Sequence, residues 1–216
     1  MLLAVDTSTT RAGIALYDGE VLAEYVWQAG RDHGRHLMPA IDETMRRLGK
    51  TPADLTAVAA ARGPGSFTGL RVGLAVVRGL AVALSVPAYG IGSLEVLAAG
   101  MPPLDVPLYP VLAAGRGRFA TARFRPAGQG YIRDGDVMGV TLETLVRLVS
   151  ERCAIVGDLD AEGRSELAAL GDGVWVAPPA LSVRRPAVLA ELAWHELGRG
   201  LPPSPEDGEP IYLARG

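Results

Sequence analysis

Apolar and polar positions follow two periods along this chain, and the switches between them mark the elements. Leu2-Leu3-Ala4-Val5 is an apolar run of buried-strand length, and Asp6 to Thr10 is a polar turn. Gly13 to Tyr17 and Val21 to Trp27 read as two further strands joined by the hairpin signal Asp18-Gly19. The apolar spacing then turns helical at Leu37, Ile41, Met45 and Leu48, and Gly49 ends the run. Leu55 to Ala61 is a strand, followed by a glycine-studded turn, a helix from Ser66 to Leu84 and a strand from Val86 to Ile91. Three strands, a helix, a strand, a helix and a strand predict a mixed sheet with helical crossovers.

Met101-Pro102-Pro103-Leu104-Asp105 reads as a hinge or linker. Beyond it the same order returns more faintly. Leu108 to Ala113, Arg118 to Phe124 and Gly130 to Val137 are strands, and Thr141 or Thr144 caps a helix through Leu148. Ala154-Ile155-Val156 is a short strand, Glu162 to Leu170 a helix, Val174-Trp175-Val176 a strand, and Pro186 to Gly198 a helix with proline in its first turn. The predicted class is α/β in two lobes, 1–100 and 101–200, each a mixed sheet with crossover helices. The last helix has the option of packing back on the first lobe. Residues 201–216, with four prolines from Pro202 on, read as an extended tail. The duplication rests on element order alone, since no residue-level repeat is visible.

With 216 residues, 49% of them hydrophobic and 21% charged, the chain has an ordinary globular composition. A net charge of -3 argues against gripping nucleic acid unaided. Twenty arginines stand against one lysine, Lys50, a skew read as genome composition. The lone cysteine, Cys153, reads as a buried structural thiol. Asp6 interrupts the first apolar run, so no secretory signal is read there, and the stretch Leu74 to Val86 reads as too short to span a bilayer. The expectation is a cytoplasmic protein with no membrane role.

The segment Arg62-Gly63-Pro64-Gly65-Ser66-Phe67-Thr68-Gly69-Leu70-Arg71-Val72-Gly73 is the most informative. Gly65, Gly69 and Gly73 are four apart, so in a helix they share one face. Each glycine in a helix interior costs about 1 kcal/mol against alanine, which close packing of another backbone would offset. That backbone is either the chain's own sheet or a partner's helix, and the partner is favoured. The spacing is not the dinucleotide fingerprint, and no Walker lysine follows. Ser66 caps the helix, so an anion could sit at its N-terminus. Asp6, Thr7, Ser8 and Thr9 are weak phosphate candidates, because the loop resembles the first phosphate loop of the actin, hexokinase and heat-shock chaperone superfamily with Ser8 in place of glycine. The alternative is a structural turn with Asp6 satisfied locally. His33 and His36 have a chelating spacing without a third ligand, so no metal site is assigned. Arg116, Arg118, Arg123 and Arg125 cluster, either as a solvated face or as a set of phosphate contacts. Trp27, Trp175 and Trp194 are scattered, and no catalytic constellation stands out.

The Gly63–Gly73 segment resembles the signature of the TsaB (YeaZ) family. Leu3-Ala4-Val5-Asp6-Thr7-Ser8-Thr9 is similar to that family's opening, Arg31-Asp32-His33 with Leu37-Met38-Pro39-Ala40-Ile41 to its first helix, Gly92-Ser93-Leu94 to a later turn, and Pro210-Ile211-Tyr212-Leu213 to its ending. At that ending Ala214 displaces an arginine to Arg215, and near Ala113-Ala114-Gly115-Arg116 the family's acid is missing. The resemblance implies two actin-like (ASKHA, RNase H-like) lobes and a non-catalytic role beside a TsaD-like paralogue. That paralogue transfers a threonylcarbamoyl group to the adenosine next to the tRNA anticodon, with a TsaE-like ATPase joining the pair. ATP and metal would belong to those partners and none to this chain alone, and tRNA would be met only through the complex. Pairing with the paralogue, or with a second copy in isolation, would run through the two helices of the first lobe. The interface residues would be His33, Leu37, Ile41, Met45, Gly65, Ser66, Phe67, Thr68, Gly69, Leu70, Gly73 and Val77. On that reading Gly69→Leu or Gly73→Leu spares the fold and abolishes pairing. Two other functions stay open: an ATP-dependent actin-like small-molecule kinase, and a metalloprotease.

Overall fold

A computed structural model describes residues 1–30, 32–149, 151–203 and 205–212. Contacts divide it into two units, one of Met1–Ser93 with Arg185–Ile211, the other built on Leu94–Arg184.

In the first unit, β1 (Leu2–Asp6) is buried throughout, as its unbroken apolar run demands of a central strand. It pairs antiparallel with β2 (Arg11–Tyr17), which pairs antiparallel with β3 (Val21–Gln28). Helix α1 (His33–Arg47) buries His33, Leu37, Ile41 and Met45, the predicted period, and tolerates Pro39 on its exposed side. Strand β4 (Ala57–Gly63) lies parallel to β1, α2 (Phe67–Leu84) crosses over, and β5 (Ala88–Gly92) lies parallel to β4. The sheet order is β3-β2-β1-β4-β5. By length and mean hydropathy α2 would reach across a membrane, contrary to the sequence expectation. Its inward side, Leu70, Leu74 and Val77, is buried, Leu74 and Val77 in the core that also takes Leu3, Val5 and Val58. A core helix has the same composition.

In the second unit, α3 (Ser93–Ala99) leads to β6 (Leu108–Gly115), β7 (Arg118–Thr121), β8 (Phe124–Ala127), β9 (Gly130–Arg133) and β10 (Met138–Thr141). Then come α4 (Leu142–Leu148), β11 (Cys153–Gly157), α5 (Ala161–Ala168) and β12 (Val174–Val176). The order β10-β7-β6-β11-β12 repeats that of the first sheet, with antiparallel pairs first and parallel pairs last. The duplication seen in element order is therefore a duplication of topology. Two readings change: the strand predicted over Arg118 to Phe124 is two strands, and Gly130 to Val137 ends at Arg133 because β8 and β9 form their own hairpin. Helix α3 carries no break in the apolar pattern that the sequence reading used.

Helix α6 (Pro186–Gly198) belongs to the first unit, where Ala187, Leu189, Ala190 and Ala193 are buried and the helix packs on β1 and β2. This moves the predicted boundaries at 100 and 200 and takes up the option of packing back. The tail is not simply extended, for Pro205–Gly208 forms a 3-10 turn packed on β5. Arg31, Leu213, Ala214 and Arg215 of the quoted motifs lie outside the described residues.

Candidate functional site

The turn Asp6–Thr10 and the start of α2 are built against each other. One carboxylate oxygen of Asp6 accepts the backbone N–H of Ser8 at 2.8 Å and the Ser8 hydroxyl at 2.6 Å, a local closure of the turn. The Thr7 hydroxyl donates to the Gly69 carbonyl at 2.7 Å in a buried bond. The Ser66 N–H donates to the Ser8 carbonyl at 2.6 Å, while the Ser66 hydroxyl caps α2 by accepting from the Gly69 N–H. A helix N-terminus offers free N–H groups to anions; here the chain's own Ser8 carbonyl takes the Ser66 N–H.

The glycine stripe is what permits this. A Cβ at Gly65 would lie 2.2 Å from the Ser8 carbonyl oxygen, at Gly69 2.1 Å from the Thr7 carbonyl oxygen, and at Gly73 2.3 Å from the Thr7 hydroxyl. What packs against Gly69 and Gly73 of α2, and against Gly65 just before its cap, is therefore the protein's own first turn, through the Thr7 and Ser8 carbonyls and the Thr7 hydroxyl. This corrects the reading of the stripe as partner-facing. Of the twelve residues assigned to the interface, His33, Leu37, Ile41, Met45, Gly69, Leu70, Gly73 and Val77 are buried within the first unit, and Gly65 and Ser66 are half-buried. Phe67 and Thr68 are exposed. The expectation that Gly69→Leu or Gly73→Leu spares the fold fails with it, since neither site has room even for a methyl group.

His33 opens α1 beneath this turn, its Nε2 3.3 Å from where a Gly69 Cβ would be. Burial lowers its pKa, with the nearby carboxylates of Asp6 and Asp32 opposing, and its buried Nδ1 has no partner among the described residues. His36, three residues on, is exposed, so the two imidazoles do not share a ligand position. Among the described residues no three His, Cys, Asp or Glu side chains converge as a metal site would require.

The outward side of α2 is a different surface. Phe67, Arg71, Ala75, Arg78 and Val82 form one strip, all exposed, with Val82 82% exposed and no carboxylate among them. The Arg71 guanidinium sits 3.7 Å over the Phe67 ring, holding that ring flat at the helix start. Arg78 packs against the tail at Gly208. Gly79 has open space around it, and Met38 of α1 is also exposed. The sequence reading singled out the inward stripe and, apart from Phe67 and Thr68, missed this one. Its signal was present as a second run at 67, 71, 75, 78 and 82, opposite the glycines.

The quoted terminal motif also reaches the glycine turn. The Ile211 N–H donates to the Arg62 carbonyl at 2.7 Å, and the Ile211 backbone lies over Gly63. In the second unit the arginine cluster separates. Arg118 donates to the Gly139 carbonyl at 2.9 Å. Arg123 pairs with Glu151 and Asp134, and Glu151 also accepts the Tyr109 hydroxyl, whose burial helps push its pKa up to about 12. Arg116 and Arg125 are exposed. Cys153 is buried and its thiol is pushed up to about 11 by desolvation, which leaves it unreactive.

Residues 24–152 match the family described as "TsaD: tRNA N6-adenosine threonylcarbamoyltransferase". A Bacillus subtilis protein named "tRNA threonylcarbamoyladenosine biosynthesis protein TsaB" is 36% identical over 125 residues, 57% of this chain and 55% of that protein. The chain spans about half the length of the curated relatives it matches. A Pseudomonas aeruginosa structure described as similar to peptidase YEAZ superposes with a TM-score of 0.79 at 24% identity, covering 99% of both chains. A putative 2-dehydro-3-deoxygalactonokinase from Sinorhizobium meliloti gives a TM-score of 0.50 at 13% identity over 90% of this chain. Those likenesses concern the fold, which is actin-like and duplicated. The family match, which covers more than half of the chain, places it in the TsaD-type tRNA N6-adenosine threonylcarbamoyltransferase family, with the TsaB (YeaZ) proteins among its relatives.

Proposed function

We propose that this chain is a non-catalytic scaffold or activator in tRNA threonylcarbamoyladenosine synthesis, working beside a TsaD-like paralogue that performs the transfer. The observation that carries this is the outer strip of α2. It is an exposed, carboxylate-free surface of Phe67, Arg71, Ala75, Arg78 and Val82 on a helix fixed from behind by its glycines. A rigid apolar strip with two cations suits a helical partner face that is apolar with acidic flanks. The paralogue is the proposed occupant, a TsaE-like ATPase joins the pair, and a second copy of this chain is its partner in isolation.

ATP and metal are assigned to those partner subunits, and tRNA is met only through the complex. Two features favour this division. The Ser8 carbonyl takes the Ser66 N–H at the start of α2, and Asp6 is engaged by Ser8. The reaction thus belongs to the complex, the protein is a pseudoenzyme within it, and its compartment is the cytoplasm where tRNA is modified. The test is reconstitution of threonylcarbamoyl transfer to tRNA with the paralogue and ATPase. Activity that rises many-fold on adding this chain, and does not rise with Val82→Glu, supports the proposal. Equal activity without the chain refutes it.

A further inference from the structure

We propose that the second unit binds a free basic α-amino acid of the arginine type, in a cavity at the N-terminal ends of β6, β11 and β12. This goes beyond the partner role proposed for α2 and rests on residues of the other unit.

The cavity, about 550 Å³ in volume, is lined by Leu104, Asp105, Val106, Arg152, Asp172 and Trp175. Such a volume is ordinary for a small-molecule site. All six residues lie between Leu94 and Arg184, so the site belongs to one unit. Its backbone is held in place. The Leu104 N–H donates to the Tyr131 hydroxyl at 3.0 Å and the Ala154 N–H to the Pro107 carbonyl at 2.8 Å, which fixes the segment before β6 at both ends. The Cys153 N–H donates to the Gly173 carbonyl at 2.9 Å and joins the starts of β11 and β12.

The charges around the cavity are unpaired. Asp105, Arg152 and Asp172 are exposed, and none of the three side chains makes an ion pair or hydrogen bond among the described residues. The Cys153 thiol beside them stays protonated, pushed up to about 11 by burial. The site thus offers one guanidinium and two carboxylates. A basic amino acid carries the complement, one carboxylate and two cations. An apolar amino acid would leave one aspartate unmatched, and a simple diamine would leave Arg152 unmatched.

The ligand's own connectivity sets its placement. Its carboxylate and α-ammonium share one carbon, so the groups that hold them must be neighbours. Arg152 and Asp172 qualify, because a Cβ at Gly173 would lie 3.8 Å from the Arg152 Cα. Asp105 precedes β6, on the other side of β11 from β12. It is left for the side-chain cation, two strand spacings or roughly 10 Å across the sheet from Asp172, a gap that suits a long side chain. Apolar surface lies between for the stem. Trp175 pairs with Ala154 in register, and Ala154 belongs to the core on which Leu104 and Val106 pack, so the three share one side of the sheet. Trp175 is 43% exposed. An aliphatic stem lies along such a surface, and a guanidinium over an indole face gains cation–π attraction.

The experiment is calorimetric titration of the full chain with L-arginine, with agmatine, which lacks the carboxylate, and with L-leucine, which lacks the side-chain cation. L-arginine should bind saturably, one per chain, and each analogue about tenfold more weakly, since each leaves a charged group unmatched. Arg152→Gln should weaken L-arginine by about tenfold without weakening agmatine, and Asp105→Asn should remove the preference for L-arginine over L-leucine. Both positions are exposed, so both variants should keep the wild-type circular dichroism spectrum. Trp175→Ala should weaken L-arginine and agmatine alike. No binding of L-arginine at millimolar concentration overturns the site. Agmatine or L-leucine binding as tightly as L-arginine, or Arg152→Gln weakening L-arginine and agmatine equally, overturns the amino-acid assignment.

Discussion

In the first unit the turn after β1 lies under α2, with Thr7 and Ser8 backbone oxygens where glycine side chains would otherwise be. In the second unit the turn in the same topological place, between β6 and β7, is Gly115-Arg116-Gly117. All three residues have left-handed φ, and nothing lies within 4 Å of a Cβ built at either glycine. The helix in α2's place, α5, has eight residues against eighteen. One strand order thus supports a locked turn in one unit and an open one in the other. Tight packing, rather than topology, distinguishes the turn under α2 from its counterpart.

The contrast can be broken most forcefully at Gly69. Gly69→Ala puts a methyl 2.1 Å from the Thr7 carbonyl oxygen, so the backbone must move. A loss of about 3 kcal/mol or more is expected from overpacking at this site. Gly117→Ala in the open turn should cost only about 1 kcal/mol, for its left-handed φ. Urea midpoints of both variants check this, and equal losses would remove the distinction between the turns. Next in size, Thr7→Val removes the buried hydroxyl donor to Gly69 and should cost about 1–2 kcal/mol by the same measurement.

A pH effect sharpens the comparison. Burial depresses the His33 pKa below the ordinary value of about 6.5. The unfolded chain therefore takes a proton at His33 before the folded chain does. Its contribution is fully present above about pH 6.5 and is lost as pH falls through the lower folded value. Wild-type stability should drop over that window more steeply than that of His33→Gln, as followed by urea midpoints at each pH. The smallest effect is on the outward side of α2. Gly79 has open space in a helix interior, so Gly79→Ala should stabilise by about 0.5–1 kcal/mol.

Much of this was readable in the sequence. Strict periods revealed β1, α1 and α2, because each buries one continuous side: Leu37, Ile41 and Met45, for instance, all face the core. The glycine spacing announced a close backbone approach. It could not say whose backbone approached, because Gly69 looks the same against Thr7 as against a partner. Helix α6 falls in the second lobe by position with packing back on the first lobe left as an option, and order along the chain could not decide it; Leu189 and Ala193 are buried in the first unit. In the second unit, β8 and β9 interrupt the repeat, and short strands such as Val174–Val176 carry too few positions for a period.

Helix α2 faces two ways, anchored inward by its glycines and exposed outward along the strip proposed to meet a partner. Co-purification of tagged TsaD-like paralogue with Val82→Glu tests it most directly. Loss of the partner from the variant, at an unchanged melting temperature, is the predicted result. Recovery of the partner at wild-type yield would contradict it.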